Sequence, residues 1–279
     1  MTDVNWTPGP AWLFCPADRP DRYAKALAVA DVVILDLEDA VAPARKEAAR
    51  DMLRGLVADD AFDDERTLVR INGFGTAQHE LDVRLTAELG LPRLMLAKAE
   101  DARHVTTLAR HDVVVLLETP RGIEHAGELA AAANVIGVMW GADDLVAGLG
   151  GTASRRPDGP YRHVARFARS RALVAAKAHG RLALDAVYMD IDDLAGLAAE
   201  CEDASAVGFD ATVAIHPKQV STIRASYRPV AEQIDWALRL LAHVGEDRGV
   251  TTFEGRMVDG PIYAQAERVL RLATATGGR

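Results

Sequence analysis

Short apolar runs recur along the chain and alternate with segments of helical periodicity. The runs are rich in Val, Leu and Ile with little polar alternation, which is typical of parallel strands buried on both faces. A pattern of eight strands, each followed by a helix, predicts an α/β fold of the TIM (β/α)₈-barrel type. The eight runs are Trp12–Ala17, Val32–Asp39, Thr67–Asn72, Arg93–Glu100, Asp112–Thr119, Val135–Asp144, Leu182–Asp190 and Ala211–Pro217.

An open, doubly wound sheet is the alternative fold for such a pattern. That fold usually carries a glycine-rich phosphate loop after its first strand. Here the first run ends in CPADRP (15–20), without a G-x-G-x-x-G spacing, and the glycine-rich stretch Gly148–Gly151 comes much later, after an acidic strand end. The barrel is therefore the predicted fold, and we assign it residues 1–228.

Residues 229–279 follow the last predicted strand and its helix. The segments Val230–Glu246 and Pro261–Ala273 are predicted to be helical, with a loop or short hairpin at Thr251–Gly260. This tail is too short for a second domain. We interpret it as a C-terminal helical extension that packs on the barrel, on a neighbouring subunit, or over the site as a lid.

Composition excludes several classes of protein. The formal net charge is -9 and the pI is about 5.4, and Lys and Arg are scattered along the chain. A nucleic-acid partner is therefore not expected. The apolar runs are too short to span a bilayer, so no membrane partner is expected. The opening MTDVNWTPGPAW lacks the pattern of a signal peptide, and the two cysteines, Cys15 and Cys201, make no disulfide framework. These features predict a cytoplasmic protein.

Charged side chains gather where the predicted strands end. In a TIM barrel the active site lies at the carboxyl ends of the strands. Apolar strands that finish this often in charged residues do not look purely structural. The residues are Asp36, Glu38, Asp39, Arg70, Asn72, Lys98, Glu100, Glu118, Asp143, Asp144, Asp185 and His216.

Carboxylates from predicted strands five and six suit a hard cation. Magnesium takes oxygen ligands and usually only one or two carboxylates from the protein. No zinc-binding spacing of His or Cys is present. We favour a functional role for Glu118, Asp144 and Arg70, which together supply a metal site and an anion-binding group.

Other strand-end residues have structural interpretations. Asp143 and Glu100 are interpreted as N-caps of the following helices. His216, which precedes a proline, is interpreted as a structural histidine. For Lys98 and Asp185, a buried ion pair and a functional role remain equally open.

Six motifs, in order along nearly the whole chain, resemble the HpcH/HpaI aldolase and citrate lyase superfamily. The resemblance is to its CitE-like branch, which contains citrate lyase β subunits, malyl-CoA lyases and citramalyl-CoA lyases. The last motif is similar to the lid motif of that branch. The motifs are Ile34–Arg50, Val69–Asn72, Leu117–Gly122, Gly141–Leu145, Ala214–Val220 and Gly255–Pro261.

The resemblance implies Mg²⁺ as cofactor, with Glu118 and Asp144 as its two protein ligands. It implies that Arg70 contacts the oxygen that becomes the enolate or alkoxide. Asp36 and Asp39, with the intervening glutamate, would lie near the metal and hold its waters.

The resemblance also implies the partners. The substrate would be a coenzyme A thioester whose phosphates meet Arg19, Lys46 and Arg50, and the other product would be a keto acid. Because the branch is commonly trimeric, Asp259 in the lid would reach the site of a neighbouring subunit in a homotrimer, where it would act as acid or base.

Two departures from the family pattern bear on substrate choice. The fourth run reads LAKAE (Leu96–Glu100), where relatives often have a proline before the lysine. A long basic loop, Gly150–Gly159, follows the sixth run. Neither departure changes the expected metal ligands.

Four functions remain open at this point. The first is a stand-alone lyase that splits citramalyl-, malyl- or citryl-CoA into acetyl-CoA and a keto acid. The second is the β subunit of a citrate lyase complex, acting on a carrier-protein thioester. The third is a β-hydroxyacyl-CoA thioesterase. The fourth is a non-catalytic paralogue, against which the joint presence of Arg70, Glu118, Asp144 and Asp259 argues.

Overall fold

Parallel strands close into a barrel at the centre of the molecule. The computed structural model describes residues 6–245 and 248–277. Within them, eight strands pair in chain order and the eighth pairs with the first, which confirms the predicted TIM barrel. The strands are β1 Ala11–Pro16, β2 Val32–Asp36, β3 Thr67–Ile71, β4 Arg93–Leu96, β5 Asp112–Leu117, β6 Val135–Trp140, β7 Leu182–Asp185 and β8 Ala211–Ala214.

Helices connect successive strands around the barrel, and further helices follow its last strand. They are α1 Tyr23–Val29, α2 Lys46–Val57, α3 Ala77–Glu88, α4 Ala102–Thr106, α5 Pro120–Glu124, α6 Ala126–Ala131, α7 Ala142–Gly148, α8 His163–Ala178, α9 Leu194–Val207, α10 Pro217–Tyr227, α11 Ala231–Val244 and α12 Gly260–Gly277. A hairpin of β9 Thr251–Phe253 and β10 Arg256–Val258 lies between the last two.

Alternation along the strands separates two apolar layers. Side chains such as Ile34, Leu68 and Leu116, drawn from all eight strands, form one cluster inside the barrel. Their strand neighbours, such as Val33 and Val69, belong to the cluster that includes the surrounding helices. Successive side chains on a strand point to opposite faces. Every second residue therefore continues the inner face up to the end of its strand.

A tight connection follows β5. The Thr119 side chain accepts a hydrogen bond from the backbone N–H of Gly122 and caps α5, with Pro120 in the first turn. A Cβ at Gly122 would lie 2.4 Å from the carbonyl oxygen of Ala99, so only glycine fits there. The start of α5 is thereby fixed against the loop after β4, directly beside Glu118.

The C-terminal extension has a core of its own. Ala237, Leu240, Val258, Tyr263 and Ala266 are buried together, away from the two barrel layers. The guanidinium of Arg268 attaches α12 to the barrel by donating to the carbonyl of Phe209, 2.8 Å away. The hairpin and both helices were predicted, and a role as a lid stays a prediction.

Two predictions fall partly outside the described residues. The first five residues, on which the expectation of no signal peptide depends, are among those that are not described, and so is Glu246, the predicted end of the first tail helix. None of the helices in the described ranges combines the length and apolarity that a membrane span needs.

Candidate active site

Three inward-facing positions at the carboxyl ends of the strands carry charge. Asp36 follows Ile34 by two residues on β2, Arg70 follows Leu68 on β3, and Glu118 follows Leu116 just past β5. All three side chains are nearly buried, with exposed fractions of 0%, 9% and 3%. The barrel interior therefore ends in a charged layer instead of an apolar one.

Arg70 is held in one orientation by two carboxylates. Its Nε and Nη2 donate to the two oxygens of Asp36 at 2.8 and 2.6 Å, and its Nη1 lies 3.3 Å from Glu38. The guanidinium carbon also lies 4.6 Å from the ring centre of Phe14. Burial alone would lower the pKa of Arg70, but the neighbouring carboxylates raise it, so the guanidinium stays charged.

Glu118 is a buried carboxylate without a cationic side chain bonded to it. Its Oε1 accepts from the backbone N–H of Lys98 at 2.9 Å, and no Lys or Arg of the described chain forms an ion pair with it. Burial raises the pKa of Glu118 to about 8; Arg70 and Lys98 oppose this rise, and Asp144 adds to it. A Cβ at Gly141 would lie 2.8 Å from the Glu118 Cβ, so glycine is needed where β6 passes this side chain.

Asp144 lies in the first turn of α7, its side chain is exposed, and its charge acts on Glu118. Its neighbour Asp143 accepts a hydrogen bond from Ser154 at 2.6 Å. The interpretation of Asp143 as a helix N-cap was wrong, because Gly141 occupies that position. The same interpretation of Glu100 was wrong for a similar reason: the next residue along, an aspartate, caps α4.

Lys98 joins several of these carboxylates. Its ammonium contacts Glu38 and lies 3.2 Å from Asp39 Oδ2. Its backbone has φ +50°, a left-handed conformation that non-glycine residues rarely adopt. This turn explains why β4 ends at Leu96, short of the predicted run. The ion pair that the sequence left open is present, and it lies at the site.

A cavity of about 830 Å³ opens above the charged layer. Arg19, which was predicted to meet phosphates, lies at its mouth and is paired with Asp21 at 3.1 Å. Two exposed cations also line the mouth and were not predicted: Arg22, which directly precedes α1, and Lys25 in α1. Their spacing of three residues from Arg19 to Arg22 to Lys25 is the only signal that the sequence carried. The lining includes Phe14, Cys15, Asp36, Asp39, Arg70, Asp144, Val187, Met189 and His216.

Lys46 and Arg50 are bonded to protein groups instead of facing the cavity. The Lys46 ammonium donates to the carbonyls of Leu37 and Glu38 and to Asn72, at 2.7 to 3.0 Å, and burial lowers its pKa. Arg50 Nη1 bonds to Gln78 and to the buried Asp82, at 2.9 and 3.1 Å. Neither side chain lines the cavity, whereas Arg19 does.

The remaining predicted residues lie outside the charged layer. Asp185 faces the helices, where it accepts hydrogen bonds from Arg169 and from the Trp140 indole, which favours the structural interpretation. His216 caps α10, as a structural histidine does, although it also lines the cavity. Asp259 is half-buried at the start of α12 and does not line the cavity of its own chain.

A barrel whose rim combines neighbouring carboxylates, a fixed arginine and a large cavity defines a TIM-barrel enzyme. Residues 11–217 match the family model described as HpcH/HpaI aldolase/citrate lyase. The chain belongs to this family, and it is a lyase.

Relatives extend this match over nearly the whole chain. A citrate lyase subunit beta-like protein of Mycobacterium tuberculosis is 56% identical over 265 residues, which are 95% of this chain and 96% of that protein. A (3S)-malyl-CoA thioesterase of Cereibacter sphaeroides is 31% identical over 94% of each chain. The crystal structure of Mycobacterium tuberculosis CitE in complex with magnesium, acetoacetate and coenzyme A has a TM-score of 0.90 and 55% identity, over 96% of this chain and 98% of that chain.

Proposed function

We propose that this protein is a magnesium-dependent lyase that splits, or forms, a carbon–carbon bond in a β-hydroxyacyl-CoA such as citramalyl-, malyl- or citryl-CoA. The products of cleavage are acetyl-CoA and a keto acid. One observation carries the proposal. Arg70 and Asp144 line a cavity whose mouth is lined by Arg19 and Arg22, and the Glu118 carboxylate lies close enough to both for their charges to shift its pKa.

The residues present fit Mg²⁺. The Glu118 carboxylate is buried, accepts a single hydrogen bond and is repelled by Asp144, so a cation between the two would relieve both burial and repulsion. Within the described ranges, no cluster of three or more His, Cys, Asp or Glu residues forms a metal-binding group. Two carboxylates completed by water and substrate oxygens are the arrangement that Mg²⁺ prefers. The magnesium in the similar crystal structure supports this choice.

Bound here, Mg²⁺ would act as a Lewis acid and as a template for an α-keto acid. Arg70 supplies a second positive group. Two of its five N–H groups are hydrogen-bonded to Asp36, and Nη1 also lies 3.3 Å from Glu38, so N–H groups remain that can donate to a substrate oxygen. Because its orientation is set in advance, it stabilises developing negative charge without reorganisation.

Cleavage is a retro-Claisen reaction. The β-hydroxyl loses its proton, the Cα–Cβ bond breaks, and its electron pair moves onto the thioester as an enolate while the keto acid departs. The enolate then takes a proton on carbon. We assign that proton to Asp259 from a neighbouring subunit of a homotrimer, because Gly255–Pro261 resembles the lid motif of the family.

The mouth of the cavity suits the phosphates of coenzyme A. Arg19, Arg22 and Lys25 are exposed there, and guanidinium groups bind phosphate oxygens in pairs. A β subunit of a citrate lyase complex would present the same groups to a carrier-protein thioester.

The free buried thiols of Cys15 and Cys201 support a cytoplasmic location.

A thioesterase is the second candidate function. It is favoured by the relative named (3S)-malyl-CoA thioesterase, which matches 94% of the chain. The same site would then direct a water molecule at the thioester carbonyl, releasing the free hydroxy acid and coenzyme A. The two functions share the binding groups and differ in which bond breaks.

Product analysis distinguishes these functions. The purified protein is incubated with Mg²⁺ and citramalyl-, malyl- and citryl-CoA in turn, and the thioesters are separated by chromatography. Acetyl-CoA with a keto acid, lost on adding EDTA, is the expected result. Free CoA with an intact hydroxy acid would establish the thioesterase. No turnover of any of the three esters would overturn both and favour the carrier-dependent subunit.

A further inference from the structure

Lys98 has a backbone conformation that its residue type disfavours. Its φ of +50° lies in the left-handed region, where glycine is the usual residue. A strained residue of this kind persists only where the surrounding structure requires it, and such residues cluster at functional sites. At this position the residue is a lysine, and its ammonium contacts carboxylates of the site.

The left-handed turn directs one N–H away from the barrel sheet. The N–H of Ala97 donates to Ile71 on β3, and the N–H of Ala99 donates to Leu116 on β5. Between them, the N–H of Lys98 donates to Glu118 Oε1 at 2.9 Å. The chain therefore contacts both neighbouring strands and a carboxylate through three consecutive amides.

The side chain of the same residue binds a second carboxylate. The ammonium contacts Glu38 Oε1, and the other oxygen of Glu38 lies 3.3 Å from Arg70 Nη1. Gly73 makes room for this lysine, since a Cβ there would lie 3.3 Å from the Lys98 Cβ. Lys98 is thus connected to Glu118 through its backbone and to Arg70 through Glu38.

We infer that Lys98 is a positioning residue: its left-handed backbone aims one N–H at Glu118, while its ammonium fixes Glu38 against Arg70. The inference rests on the proposed function, because it takes Glu118 as a metal ligand. Hydrogen bonds from such outer groups orient metal ligands, and their loss typically weakens metal binding about 10- to 100-fold.

Three substitutions of Lys98 distinguish the contribution of its backbone conformation from that of its ammonium group. Lys98→Gly, Lys98→Ala and Lys98→Val all remove the charge, but they tolerate positive φ in that descending order. Mn²⁺ binding to each variant is measured by titration calorimetry, with the thermal midpoint of unfolding recorded for each. We expect Lys98→Gly to bind Mn²⁺ at least as tightly as the wild type, and Lys98→Val about 10-fold or more weakly than Lys98→Gly. Lys98→Ala should fall between, which keeps the test decisive if Lys98→Val does not fold.

A matched control is present in the hairpin of the extension. Glu254 is the other non-glycine residue with positive φ in the described chain, at 48°. Glu254→Gly and Glu254→Val impose the same backbone contrast outside the barrel, on a residue that is not bonded to Glu118, and their Mn²⁺ affinities should be equal. The ammonium is tested by turnover of Lys98→Gly, whose kcat should fall about 10-fold with KM unchanged, since Glu38 and Arg70 lose their support.

The possible outcomes are distinct. Equal Mn²⁺ affinity in the three Lys98 variants, with only the unfolding midpoint changed, would show a structural role and overturn the backbone assignment. An unchanged kcat in Lys98→Gly would overturn the assignment of the ammonium. Failure of the wild-type protein to bind Mn²⁺ at all would overturn the proposed function, and this inference with it.

Discussion

Asp36 and Arg70 face each other across the β2–β3 pair and form a bidentate ion pair inside the barrel. The two residues are direct partners in the strand register, and their side-chain contacts measure 2.8 and 2.6 Å. Asp36 is held in turn by the backbone N–H groups of Glu38 and Ala40. The planar fork of Arg70 is therefore oriented by the strand register itself.

Replacing Arg70 by lysine tests whether this fork is needed for turnover. Arg70→Lys keeps the charge but loses the two parallel bonds to Asp36, so a preorganised donor is lost. We expect kcat to fall about 10²–10³-fold while the ester still binds. Steady-state kinetics measures this, with Arg54→Lys on the exposed face of α2 as control. A near-normal kcat for Arg70→Lys would show that charge alone suffices.

The two sets of basic residues should respond differently to removal. Arg22→Ala removes an exposed cation from the cavity mouth, and we expect KM for the acyl-CoA to rise about 10-fold as a phosphate contact is lost.

Lys46→Met removes a buried ammonium with three acceptors, and we expect the free energy of unfolding to fall by about 1–3 kcal/mol with KM unchanged. Kinetics and urea denaturation measure the two effects. A raised KM for Lys46→Met with an unchanged KM for Arg22→Ala would indicate that Lys46 binds the phosphates.

The sequence predicted the fold and the charged strand ends, but not all of the contacts between distant residues. Eight apolar runs predicted the barrel because buried parallel strands need continuous apolar residues. The charged strand ends located Asp36, Arg70 and Glu118, because alternation along a strand fixes the inner face. The sequence placed Lys46 near the site but not its partner Asn72, which is 26 residues away and approaches only in the closed barrel.

The local backbone conformation at the strand ends could not be predicted from the sequence either. Nothing in the run of residues around Lys98 marks a left-handed turn, because glycine is the usual signal and lysine occupies the position. The predicted N-cap at Asp143 failed because β6 ends at Trp140, so the cap position of α7 falls on Gly141. Both features depend on which neighbouring groups need a hydrogen bond, and that is a property of the assembled rim.

Cys15 gives a prediction about pH. Burial raises the pKa of this thiol from 9.0 to about 11. A raised thiol pKa means that the folded state holds the proton more tightly, so this contribution to stability is complete below pH 9 and is lost as the pH rises from 9 to 11. The difference in unfolding free energy between the wild type and Cys15→Ala should shrink across that range. A difference independent of pH would contradict the raised pKa.

Subunit complementation tests the role of Asp259. An Asp259→Asn variant keeps an intact barrel site, and a Glu118→Gln variant keeps an intact lid, so each should be nearly inactive alone. If the lid acts on a neighbouring subunit, refolding an equal mixture should restore activity at about a quarter of the sites. Sedimentation at micromolar concentration checks for the trimer. A mixture as inactive as its components would contradict action on a neighbouring subunit, and a normal rate for Asp259→Asn alone would place Asp259 outside the chemistry.

The most direct test of the account is Mg²⁺-dependent turnover in Glu118→Gln and Asp144→Asn. Both substitutions preserve shape and remove a negative oxygen ligand, so we expect no detectable cleavage at any Mg²⁺ concentration, with the unfolding midpoint retained. Asp112→Asn is the matched control, because Asp112 is exposed at the opposite end of β5, and it should behave as the wild type. Normal, Mg²⁺-dependent cleavage by either Glu118→Gln or Asp144→Asn would contradict the assignment of the site.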